Sequence, residues 1–175
     1  MERAVRLLRA DETTTLRAFL DFQRDTLRMK CSGLSPEQLS RSLPPGDLTL
    51  GGLLKHLASV ESDWFEETFA GRSLMPPFDS VDWEADPDWD LRTARDDAPA
   101  ELFALFDEAV RRADAVIDEA LGDGGVGLDL LSAVAPDERG HFSLRRILVH
   151  LIEEYARHNG HADLIRQSID GQTGQ

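Results

Sequence analysis

A single cysteine, Cys31, leaves this chain no internal disulfide to form. It stands between two predicted helices with Lys30 as its one adjacent cation, the setting of a structural thiol rather than a reactive one. Lysine is almost as scarce: Lys30 and Lys55 are the only two among 19 cations, and 33 acidic residues bring the formal net charge to −14. Such a chain repels a phosphate backbone, so no nucleic-acid partner is expected. No apolar run approaches the roughly 18 to 20 residues that span a bilayer, so no membrane partner is expected either. The opening MERAVRLLRADE carries charges where a secretory leader needs an apolar stretch, and the expected address is a reducing cytoplasm. A phosphate-cradling loop is missing, because DGGVG (123–127) has neither the lysine nor the preceding strand. No G-x-S-x-G surrounds Ser40, Ser42, Ser59 or Ser132, which excludes a serine hydrolase of that type.

What is present is helical periodicity over a length that suits one domain, residues 1–175. Residues 11–30 place Leu16, Phe19, Leu20 and Leu27 at helical spacings behind a cap supplied by Asp11 or one of the threonines after it. SPEQLSRS (35–42) opens with Ser35 as N-cap and Pro36 at the first helical position, a short turn that PPG (44–46) ends. A second long helix is predicted from about Thr49 to Ala70, stopped by Gly71. With His56 set at zero and about 100° per residue, Leu50, Leu53, Leu54, Leu57, Trp64 and Phe65 fill an arc from about 60° to 180°. His56 stands on the flank of that arc, beside Val60. Residues 72–97, with Pro76, Pro77, Pro87 and a run of aspartates that lacks calcium-loop spacing, read as a crossover: a solvated acidic cover pinned by Trp83 and Trp89. A third helix runs from near Pro99 to Gly122, ended by DGGVG, and after an irregular stretch (128–142) a fourth runs from a Ser143 cap to about Asp170. Four long helices and no convincing strand predict an all-α four-helix bundle with a long crossover connection.

The fourth helix carries EEYARHNGHAD (153–163), and phase divides its polar groups. With His150 at zero, the apolar stripe lies at roughly 60° to 160°, Glu154 near about 40°, His158 near about 80°, His161 near about 20° and Glu153 near about 300°. Glu153 therefore belongs to solvent, whereas Glu154 and His158 face the stripe or its border. A carboxylate aimed into a bundle needs a partner, since leaving it uncompensated costs several kcal/mol. Residues four apart share a helix face, so Glu154 and His158 can share one ion with a third ligand from a facing helix, and His56 is the only histidine on the other three long helices. Equally compatible with the spacing, His56 and His158 are hydrogen-bonded core-edge histidines and Glu154 pairs with Arg157 or Arg146. His150 reads as a partly buried helix residue, His141 as exposed, and Trp64 as core packing.

GLLKHLASVESDWF (52–65) and LVHLIEEYARHNGHADLIR (148–166), together with CSGLSPEQLSRSLPPGDLTLGGLLKHL (31–57), resemble the DinB-like superfamily. The likeness is strongest to its actinobacterial branch, related to the mycothiol-dependent maleylpyruvate isomerase metal-binding domain, and covers nearly the whole chain. It implies a DinB-like four-helix bundle whose divalent metal is held by a histidine of the second long helix and an H-x3-H pair of the last. His56 matches the first, and the HRG of relatives aligns with His158, Asn159 and Gly160. Glu154 replaces the first histidine of the pair, as in the isomerase branch, so the implied ligands are His56, Glu154 and His158. His161 stands where many relatives carry glutamine, and its role stays open between a fourth ligand, a catalytic base beside the ligands that orients water or takes a proton, and neither; the catalytic base is the favoured expectation.

The resemblance implies a metal-dependent thiol (mycothiol-type) transferase, isomerase or hydrolase. Its expected cofactors are a divalent metal, zinc ahead of nickel, and a low-molecular-weight thiol; its expected partner is an electrophilic small molecule. The alternative is a non-catalytic, metal-binding, stress-associated protein. Either is expected to be a homodimer, formed through an apolar helix face left over by the bundle.

Overall fold

Side-chain caps set most of the helix starts that the sequence marks. In a computed structural model that describes residue 3 and residues 7–122 and 127–173, α1 spans Glu12–Cys31, with the Asp11 side chain accepting from Thr14 N. The short α2, Pro36–Leu39, carries a complete Ser35/Gln38 capping box. Helix α3, Leu50–Glu61, starts at a Thr49 cap and continues as a π-helical segment over Ser62–Phe69. A short α4, Trp89–Thr93, lies within the crossover; α5 spans Pro99–Gly122 and α6 spans Leu144–Asp170 behind a Ser143 cap. The described residues form no strand beyond two isolated bridges. Residues 123–126 of DGGVG, and residues 1, 2 and 4–6 of the N-terminal segment, lie outside the described residues.

The fold is therefore an all-α bundle in which α1 packs most extensively on α6 and α3 on α5. Leu50, Leu53, Leu54, Leu57 and Phe65, the predicted stripe of α3, have no exposed surface, and Ile147, Leu148, Leu151 and Tyr155 match them from α6. Trp64 is half-buried and packs against this core from its edge, with its ring 5.3 Å from Phe142 and 4.5 Å from His150. Among the described residues no helix is long and apolar enough to cross a membrane.

Charge also enters the core. Arg24 Nε and Nη2 each donate to a Glu61 oxygen at 2.7 Å, and Tyr155 Oη donates to Glu61 Oε1 at 2.8 Å. Arg24 Nη1 continues to Asp114 at 2.8 Å and Asp21 at 3.1 Å, so one network joins α1, α3, α5 and α6. Arg24, Glu61 and Tyr155 are at most 2% exposed. Burial among these partners holds the Tyr155 hydroxyl well above the usual tyrosine range, and the Glu61 carboxylate outweighs burial to keep Arg24 firmly charged.

Two glycines bring connections close to α3. Gly71, at φ +66°, takes a left-handed conformation that favours glycine, and a Cβ there would lie 2.9 Å from Ala133 Cβ. Its freedom lets the 131–134 connection lie against the end of the π segment, where Ala133 N donates to Phe69 O and Val134 N to Thr68 O. At Gly52 a Cβ would stand 3.1 Å from Leu91 O, so its absence admits the crossover onto α3. Lys55 anchors the same crossover: its Nζ donates to Thr93 Oγ1 at 2.9 Å and Asp97 Oδ2 at 2.6 Å, and lies 4.3 Å from the Trp89 ring centre. Phe78, Trp83 and Trp89 pack as an aromatic trio, and both tryptophans lie against the hydrophobic core, which is the pinning expected of them.

Candidate metal centre

Helical periodicity carries His56 out of α3 and Glu154 and His158 out of one face of α6, and the two helices bring all three together. One ligand atom from each lies within 4.8 Å of the others. His158 Nε2 is 3.0 Å from Glu154 Oε1, and His56 Nε2 is 3.9 Å from the same oxygen. Donors about 2.0 to 2.2 Å from a tetrahedral ion stand roughly 3.4 Å apart, so these separations bracket what one ion requires. The two imidazoles meet edge to face, centroids 5.0 Å apart.

Each member keeps a donor atom free of competing cations. His56 uses its other nitrogen, Nδ1, toward Asp90 Oδ2 at 3.0 Å, which leaves Nε2 facing Glu154. His158 Nδ1 is buried and has no hydrogen-bond partner among the described residues, so Glu154 is the one group its ring nitrogens engage. The nearest guanidinium, Arg157, reaches only to 3.8 Å from Glu154 Oε2, too far for a hydrogen bond. Arg146, the other cation considered for Glu154, instead lies over the Phe142 and Trp64 rings at 4.9 and 5.6 Å. Burial, then the neighbouring His56 ring, lowers the His158 pKa below the usual histidine value against the opposing pull of Glu154. A neutral imidazole is the form that offers a lone pair. Two imidazoles and one carboxylate so arranged could hold one divalent ion and leave a position open.

Glu153 is exposed, as its phase predicts. His161 is half-buried at the rim, its ring 5.5 Å from that of His158 and outside the three-residue cluster. His150 is half-buried one turn before Glu154, against Trp64. His141 is exposed, as its place before the Ser143 cap predicts, and Cys31 is fully buried, with a pKa that burial pushes far above that of a reactive thiol.

Asp90 is the residue that periodicity missed. It sits in the acidic crossover, read from sequence as a solvated cover, yet it is only 3% exposed. The crossover is thus not solvated throughout: at α4 it supplies a carboxylate to His56. A second acid lies along α3. Asp63, about two turns beyond His56, is half-buried, and burial followed by repulsion from Glu67 lifts its pKa from 3.8 to about 6. Between those two values the folded chain keeps a proton that the unfolded chain releases, so Asp63 costs stability as pH rises through that window. Asp63→Asn is expected to stabilise the fold near pH 8 by about 1 to 2 kcal/mol, the shift discounted for partial exposure, and by nothing near pH 4. Chemical unfolding at both pH values checks this, and equal gains at the two would contradict it.

No curated protein sequence matches the chain. The family model for mycothiol S-transferases matches residues 15–171, from the first turn of α1 to the glycine that caps α6, and so takes in His56, Glu154 and His158 along with nearly all of the bundle. By this match and by its all-α architecture, the chain belongs to the mycothiol S-transferase family.

Proposed function

We propose that this chain, as one domain over residues 1–175, is a divalent-metal-dependent transferase that joins a low-molecular-weight thiol of the mycothiol type to an electrophilic small molecule. His56, Glu154 and His158 are the proposed ligands, with zinc the first choice of ion. The observation that carries the reading is the convergence of two imidazole nitrogens and one carboxylate oxygen from two helices within 4.8 Å, inside the segment that matches the family.

A divalent ion held there supplies Lewis acidity, which lowers the pKa of a coordinated thiol and makes the sulfur nucleophilic near neutral pH. The protein's own contribution is charge and order. Glu154 brings one negative charge and the neutral imidazoles none, so the donor set leaves net positive charge to favour an anionic sulfur. Trp64, in ring contact with His150 one turn before Glu154, supplies a partly apolar surface for the electrophile. We assign acceptance of the thiol proton to His161: in support, it is half-buried at the rim of the triad, and its Nδ1 has no hydrogen-bond partner among the described residues.

The test is turnover of an alkylating electrophile with mycothiol by chelator-treated and zinc-restored protein. The expected result is thiol conjugation that disappears with chelation and returns with zinc. Metal uptake with no conjugation of any electrophile and thiol would instead favour a binding protein without catalysis.

A further inference from the structure

Asp90 is buried without a strong cationic partner. Its Oδ1 accepts from Leu91 N at 2.7 Å and its Oδ2 meets His56 Nδ1 at 3.0 Å, and among the described residues neither arginine nor lysine reaches it. A carboxylate withdrawn from water with only an amide and an imidazole for company is costly unless a positive charge stands behind the imidazole. The seat that holds it there is nevertheless elaborate. Gly52, one turn before His56, lets the Leu91 carbonyl approach α3, while Lys55 grips Thr93 and Asp97 on the far side of α4 and packs on Trp89.

We propose that Asp90 is a positioning residue for the metal centre: it accepts the Nδ1 proton of His56, fixing the tautomer whose Nε2 lone pair faces Glu154, and its negative charge strengthens that nitrogen as a ligand. The inference rests on the metal reading above and extends it to the crossover. Because Asp90 belongs to α4, loading of the site and ordering of residues 89–93 are coupled through this one hydrogen bond, and the coupling acts in both directions. An ion at His56 steadies the crossover, and a seated crossover tightens the ion.

The full chain with Asp90→Ala and Asp90→Asn tests this by three readouts. In 15N NMR of the metal-free wild type, His56 is expected as the Nδ1–H tautomer, and Asp90→Ala is expected to lose that preference. Zinc affinity, measured by competition with a chromophoric chelator, is expected to fall about 10- to 100-fold in Asp90→Ala and by less in Asp90→Asn, which keeps an acceptor oxygen but not the charge. Zinc is expected to slow amide exchange over residues 89–93 in the wild type and not in Asp90→Ala. Asp97→Asn, which weakens the crossover anchor without touching His56, separates positioning from general loosening: it is expected to keep the His56 tautomer and to hold zinc within about 3-fold of wild type. A wild-type Nε2–H tautomer, an Asp90→Ala affinity equal to wild type, or an Asp97→Asn loss as large as that of Asp90→Ala overturns the inference alone. A wild type that takes up neither zinc nor nickel overturns the metal reading and this inference with it.

Discussion

Glu61→Ala is expected to destabilise the fold by about 3 to 5 kcal/mol, the largest single effect on stability predicted for this chain. The substitution removes the two acceptors that hold the buried Arg24 guanidinium and the one that holds the Tyr155 hydroxyl. Asp114 and Asp21 remain on Arg24 Nη1, but their side chains are 36% and 45% exposed, so solvent screens much of what they offer. What is left is a nearly unpaired cation and an unsatisfied hydroxyl in a cavity where four helices meet. Since a domain of this size is typically stable by only about 5 to 15 kcal/mol, the loss takes a large share of the total. Urea unfolding measures it. Glu61→Gln, which keeps the shape and one acceptor, is expected to cost less, and a cost below about 1 kcal/mol for Glu61→Ala would show that the network contributes little.

His158→Ala is expected to weaken zinc binding by more than about 100-fold, beyond the roughly 10- to 100-fold lost when only a residue that orients a ligand is removed. The fold should barely notice. His158 makes one side-chain hydrogen bond, to Glu154, and its Nδ1 has no partner among the described residues, so its loss should change metal-free stability by only about 1 kcal/mol. That separation between affinity and stability is the signature of a ligand rather than a core histidine. Chelator competition and metal-free unfolding on the same preparation read the two quantities. A fall in affinity below about 10-fold would remove His158 from the ligand set.

The parts of this molecule governed by local rules were legible in the sequence. Ser35 and Ser143 cap the helices they were expected to cap, Asp11 is the cap of the two alternatives for α1, Thr49 caps the helix expected to start near it, Gly71 stands at that helix's expected end, and the 3.6-residue period placed Glu153 outside with Glu154 and His158 toward His56. Features that depend on what lies across the core were not. Glu61 falls on the apolar stripe between Leu57 and Phe65, and Arg24 between Leu20 and Leu27, so each was visible as a charge at a core position. Nothing in either helix alone says that the two meet. Asp90 is harder still, because its burial follows from Gly52 and Lys55 on another element and its own surroundings are uniformly acidic. The π-helical segment Ser62–Phe69 contains neither glycine nor proline to announce it. Its Ser62 hydroxyl donates to Glu66 within the segment and accepts from Met75 N, and the second of these contacts arises only once the crossover is in place.

The central claim is that His56, Glu154 and His158 hold one divalent ion, and metal analysis of protein purified without a histidine tag, followed by zinc titration of the stripped chain, tests it most directly. The expected result is one ion per chain, restored at one equivalent of zinc after chelation. Protein that carries no stoichiometric metal and takes up neither zinc nor nickel, or that binds zinc undiminished when His56, Glu154 and His158 are all alanine, would contradict it.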